Sequence, residues 1–222
     1  MRREVLEDDL KRLYSANDMV KADCGGCKGC SQCCQGMGES VVLDPLDVYR
    51  LKNGLNQNFA ELMEFCLELN MVDGLVLPNL RMTGEQEQCC FLNEEGRCSI
   101  HSVRPGVCRL FPLGRIYENG SFKYFLQSQE CPKANKSKIK VSKWMDTPDL
   151  KKYEEFVTMW HYFLVEAQEL MEHQKDEKLD RDLTTYILNH FYVNPYPTGK
   201  DFYEEFSERY QVTKKLLKVL SK

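Results

Sequence analysis

Eleven cysteines in 222 residues constrain this chain more than any other feature, because ten of them fall into two short segments. Cys24, Cys27, Cys30, Cys33 and Cys34 form the first. Cys89, Cys90, Cys98, Cys108 and Cys131 form the second, and Cys66 stands apart. Thiols at this density imply disulfides, redox chemistry or metal ligation. An odd number cannot pair completely within one chain. Residues 1–10 carry several acids and lack the apolar run of a secretory signal, so the expected location is the cytoplasm. Thiols stay reduced there, and metal ligation is the expected role of the clusters.

The first segment reads Cys24-Gly-Gly-Cys27-Lys-Gly-Cys30-Ser-Gln-Cys33-Cys34. Two intervening residues let successive thiolates turn onto one ion, as in zinc knuckles and ferredoxin-type runs. Gly25, Gly26 and Gly29 free the backbone to wrap closely around a metal. Adjacent side chains tend to point apart, so Cys33 and Cys34 are expected to serve different centres, or one of them to pack in the core. In the second segment, Cys98 and Cys108 are too distant for one knuckle, and a short strand and turn is needed to bring them together. A site closed by residues remote in sequence should stabilise the fold when metal binds.

Balanced charge, 30 Lys and Arg against 34 Asp and Glu, argues against a dedicated nucleic-acid binder. No stretch approaches the roughly 18 apolar residues of a membrane span. Metal and a protein partner are thus the expected interactions, with no nucleic acid and no membrane. The chain contains no Gly-rich phosphate loop, no G-x-S-x-G elbow, no H-E-x-x-H run and no C-x3-C-x2-C run.

The expected fold class is α+β: a cysteine-rich metal-binding domain at 1–135, with short helices and hairpins, followed by a helical segment at 145–222. Asp44-Pro45 opens a short helix. Asn58 caps another, with Phe59, Leu62, Met63, Cys66 and Leu69 on one face. Hairpins are expected at 91–100 and at 115–125, the latter turning at Asn119-Gly120. Residues 133–143 read as a basic, polar connector. About three helices follow. The first is signalled by Asp146-Thr147-Pro148-Asp149 and carries Tyr153, Phe156, Val157, Trp160, Phe163, Leu164, Ala167, Leu170 and Met171 at helical spacing. The second spans 180–192 and stops at Asn194-Pro195. The third opens at a capping box from Thr198 to Asp201 and runs to about 220. These helices are expected to pack on the cysteine-rich part, because so few residues make a small independent core.

Cys27-x-x-Cys30-x-x-Cys33-Cys34, Cys90-Phe-Leu, Cys98-x-Ile-His, Arg104-Pro105-x-x-Cys108-Arg109-x-Phe111-Pro112 and a late Cys131 occur in an order that resembles the YkgJ-type cysteine-cluster family. That is the CxxCxxCC zinc- or iron-chelating domain, and the resemblance covers about 22–132. It implies the metal ligands Cys27, Cys30, Cys33, Cys34, Cys90, Cys98, Cys108 and Cys131, enough for two four-thiolate centres. Cys24 and Cys89 are additions to the family run. A similar cluster in flagellin lysine-N-methylases implies an iron–sulfur centre. The triple-step run and Cys131-Pro132 also favour a [4Fe-4S] cluster, with zinc as the alternative.

Three roles are compatible with such a centre: a structural or electron-transfer protein, a cluster-containing enzyme related to the lysine N-methylases, or a metal-delivery or regulatory module. His101 is read as structural, because the family usually carries Tyr there. Arg97, Arg104, Arg109 and Arg115 either offset thiolate charge, bind an anionic partner or pair with local carboxylates. Cys66 reads as a buried apolar residue.

Overall fold

A computed structural model describes residues 5–23, 25, 30–131 and 133–221. It is a mixed α+β structure of helices and small antiparallel sheets. The chain enters through α1 (Glu7–Leu10), β1 (Leu13–Tyr14) and β2 (Met19–Asp23), and a 3-10 turn follows at Gln32–Cys34. Helix α2 (Pro45–Leu55) begins where Pro45 follows Asp44. Asp44 accepts from Asp47 N at 2.8 Å, and Asp47 accepts in return from Asp44 N, which closes a capping box. Asn58 and Glu61 build the same device at the start of α3 (Phe59–Phe65). Here the structure corrects one expectation. The helix ends at Cys66, and Leu69 lies in strand β3 (Leu67–Val72), which pairs with β4 (Leu75–Leu80) across Asp73-Gly74. Both turn residues have positive φ, 47° and 86°, as an Asp-Gly hairpin requires.

A small ribbon of β5 (Met82–Thr83) and β6 (Gln88–Cys89) follows. The hairpin expected at 91–100 is reduced to one bridge between Leu92 and Cys98. Asn93 Oδ1 accepts from Glu95 N at 3.2 Å and Arg97 N at 2.8 Å, so a side chain satisfies the turn that a ladder would otherwise continue. Helix α4 (Gly106–Leu110) leads into β7 (Leu113–Glu118) and β8 (Ser121–Leu126), the hairpin turning at Asn119-Gly120, and β1 completes this sheet in the order β1-β8-β7.

The stretch read as a connector is structured. β9 (Ser137–Lys140) pairs with β2, and α5 (Val141–Met145) follows directly. Its basic residues mask a buried minority, since Val141 and Met145 are both fully buried. Three long helices follow: α6 (Leu150–Gln174), α7 (Glu177–Leu188) with a π turn at Asn189–Val193, and α8 (Phe202–Leu220). α6 starts later than its signal, after Asp149, and Asp146 ends α5 instead. α7 starts earlier than expected because Asp176 caps it, and α8 opens on Asp201 and not on Thr198 as expected, the Asp201 carboxylate accepting from Tyr203 N and Glu204 N.

One apolar core runs from Tyr14 to Leu217 and joins the helices to the cysteine-rich part. The predicted face of α6 is buried at every position except Leu164, which is half-buried. Polar ties accompany this packing. Tyr192 Oη donates to Leu43 O at 3.0 Å, Lys52 Nζ reaches Tyr192 O and Val193 O, and Arg115 donates to Tyr153 Oη at 2.8 Å.

Candidate metal centre

The site is assembled from several short pieces of chain, among them the segment after β8 that carries Cys131, where Lys136 Nζ donates to Cys131 O at 3.0 Å. The 3-10 turn carries Cys33 and Cys34. It is closed by Cys34 N donating to Ser31 O at 2.8 Å, and Gly36 N binds back to the β5–β6 ribbon at Gln86 O and Glu87 O. This tight turn brings neighbouring thiols together, with Sγ atoms 4.0 Å apart, where an extended chain would separate them. The ribbon presents Cys89. The Asn93 turn presents Cys98, and Ser99 fastens it by two bonds to Phe91 O.

Helix α4 carries Cys108 and is anchored from both sides. Asp47, already part of the α2 cap, accepts from Gly106 N at 2.7 Å in the interior. Arg109 is buried and gives its guanidinium to the carbonyls of Ser102, Arg104 and Asp146. A Cβ on Gly106 would collide with the Tyr153 hydroxyl, so only glycine lets α4 approach this closely. Trp144 closes the end, its Nε1 donating to Leu110 O and Phe111 O.

These pieces enclose one cavity of about 210 Å³. Cys30, Cys33, Cys34, Cys89, Cys98, Cys108 and Cys131 all line it. Six of the eight residues implied by the family pattern therefore meet here. Cys27 lies outside the described residues. Cys90 is directed elsewhere: its Sγ lies 3.7 Å from Cys66 O, and it does not line the cavity. Its neighbour Cys89 lines the cavity. The strand ends at Cys89 and Cys90 lies in the turn that follows, closed by Leu92 N donating to Cys89 O at 2.9 Å, so the two neighbours leave the backbone in different directions. Cys66 is buried, as expected.

The thiols sit in an environment hostile to bare thiolates. Hydrogen bonding to Cys33 and burial push the Cys34 thiol up, and hydrogen bonding to Cys90 and burial do the same to Cys89. Burial raises Cys98 and raises Cys108 well above the ordinary value, with Cys89 adding to the effect on Cys108. Outside the cavity, Cys90 is pushed up to about 12 by its hydrogen bond to Cys66, whose own thiol is lowered by the same contact. Crowded thiols that cannot ionise alone ionise readily when a cation shares the cavity. Arg97, His101, Arg104, Arg109 and Lys133 also line it, and among its described lining residues there is no Asp or Glu. Burial, then Arg104, holds the His101 imidazole below its ordinary value.

A donor set dominated by soft sulfur, with the His101 imidazole beside it and no carboxylate among the described lining residues, suits zinc or iron–sulfur chemistry and does not suit hard oxygen-seeking cations. Among the described residues, no three His, Cys, Asp or Glu side chains already converge on a single ion position; the thiols surround a space instead. The fold and site thus define an α+β protein with a cysteine-lined cavity. Residues 26–132 match the family model described as "CxxCxxCC: Putative zinc- or iron-chelating domain". No curated protein and no solved structure is significantly similar to the chain. Among the described residues no helix is long and apolar enough to cross a membrane.

Proposed function

We propose that this protein holds an iron–sulfur cluster through cysteine thiolates drawn from Cys30, Cys33, Cys34, Cys89, Cys98, Cys108 and Cys131, with Cys27 completing the first run. The supporting observation is the convergence of seven cysteines, from two segments far apart in sequence, on one cavity. A structural zinc site is closed and uses four ligands. Here more thiols than four surround open space, and that favours a polynuclear centre over a single ion. The protein's own part is to gather the thiols, exclude carboxylates and supply compensating cations. When bound, the cluster would supply one-electron chemistry.

The experiment is metal and acid-labile sulfide analysis, with a visible spectrum, on protein isolated without oxygen. Iron and sulfide in equal amounts, with broad absorption near about 400 nm, support the cluster. Colourless protein holding one or two zinc ions overturns it and leaves a structural zinc domain.

A second reading is favoured by the same cavity. Beside its thiols the cavity carries the Arg104 guanidinium and apolar wall from Leu92, Ile100, Phe111 and Trp144, which ligation of a cluster does not use. This supports a catalytic or ligand-gated role, the class implied by the resemblance to lysine N-methylases. Spectral change on adding a substrate-like molecule to the cluster-loaded protein tests it, and an unresponsive cluster returns the centre to electron transfer.

A further inference from the structure

The cavity has a second chemical character that metal ligation does not use. Arg97, Arg104, Arg109 and Lys133 contribute four cationic side chains, and no carboxylate faces them among the described lining residues. A dipositive zinc ion or cluster core held by four thiolates carries two net negative charges. Arg104, Arg109 and Lys133 alone therefore outnumber one such centre by one charge. Arg109 is committed to three backbone carbonyls and serves the fold. Arg104 is different. Its guanidinium touches His101 Nε2, while its Nε is buried and has no hydrogen-bond partner among the described residues. A buried donor without an acceptor is costly, and a guanidinium fork matches the two oxygens of a carboxylate or phosphate. Leu92, Ile100, Phe111 and Trp144 supply apolar wall in the same cavity.

We propose that the cavity is also a binding site for a small oxyanion, a carboxylate or phosphate on an apolar body, received by Arg104 next to the metal centre. This deepens the metal-centre reading and rests on it for the charge balance. Arg104 sits in the same turn-to-helix segment as Cys98 and Cys108, so the ligand would bind within reach of the thiolates' own support.

The test is calorimetric titration of the metal-loaded protein, isolated without oxygen, with acetate, inorganic phosphate and neutral acetamide, metal content being measured on each sample. At least one anion binds more tightly than acetamide. R104Q weakens that binding about tenfold or more with metal content unchanged, the loss expected for a charge-assisted hydrogen bond. Acetate alone assigns a carboxylate ligand, and phosphate alone a phosphate. Neither anion exceeding acetamide, or R104Q binding as wild type does, overturns the proposal. If R104Q sheds its metal, R104K is read instead, since it keeps the charge without the fork. Weakened binding there supports the site and unchanged binding overturns it. A chain isolated without metal fails the metal-centre reading alone, and titration of that metal-free protein decides the oxyanion site by the same outcomes.

Discussion

At the scale of single residues, the doublet Cys89-Cys90 separates two kinds of cysteine. Cys89 faces the cavity, and Cys90 faces Cys66. Cys89→Ala, Cys30→Ala and Cys108→Ala are each expected to lower metal content, measured by elemental analysis, and to lower thermal stability with it. Cys90→Ala is expected to keep its metal and to cost only the packing of a small half-buried side chain, about 1 kcal/mol. Loss of metal from Cys90→Ala together with full occupancy in Cys89→Ala would reverse the assignment. Titration gives a further expectation. In the metal-free protein, Cys34, Cys89, Cys98 and Cys108 have thiols raised above the ordinary value of 9.0. The unfolded chain ionises there first, so the folded state loses stability as pH rises past about 9. Metal-loaded protein has already released those protons and is expected to show a flatter profile in urea melts over the same range.

Among elements, the important joint lies between α2 and α4. Asp47 both caps its own helix and holds Gly106, so the start of one helix positions the other, which carries Cys108. Asp47→Ala leaves a buried Gly106 N–H without an acceptor and is expected to cost about 1–3 kcal/mol in chemical denaturation. Gly106→Ala meets Tyr153 and is expected to cost about 1–3 kcal/mol and to reduce metal content, because α4 must shift to admit the methyl group. Stability loss with full metal content in Gly106→Ala would show that α4 can move without disturbing the site. Local signals of this scale were readable in advance. Asp44-Pro45, Asn58 and Asn119-Gly120 each act within three residues, and each appears where expected. The Asp73-Gly74 hairpin was as clearly written, but helical spacing through Cys66 and Leu69 obscured it. The β2–β9 pairing was not readable. Its second strand hides among lysines, and its partner lies at the other end of the cysteine-rich part. The clustered cysteines pointed to a shared site, yet which member of the Cys89-Cys90 doublet faces the cavity depends on the turn that follows β6 at Cys89, which no local sequence pattern records.

Across the whole molecule, the helices and the cysteine-rich part share one core and several buried polar ties. Removing α6–α8 would take away Tyr153, Phe156 and Tyr192 and leave their partners in the shared core, Leu43, Leu46 and Leu51 among them, without that cover. The truncated chain is expected to be aggregated or unfolded by circular dichroism. A soluble, metal-loaded fragment would instead show that residues 1–145 fold alone. Stripping metal from the intact protein is expected to lower its melting temperature on the order of 10 °C while leaving most far-ultraviolet helical signal, because no residue of the long helices lines the cavity.

The β2–β9 ribbon also bears on how the protein matures. β2 precedes the first cysteine run and β9 follows Cys131, so the pairing joins chain on either side of the entire ligand set. A ribosome releases β2 early and β9 only after every candidate ligand has been made. Contacts so distant along the chain form late. The nascent chain therefore exposes the first cysteine run before the segments that complete the cavity exist, and loading with metal belongs to the end of synthesis or after it. The interval before β9 emerges is when those thiols are most open to oxidation or to the wrong ion.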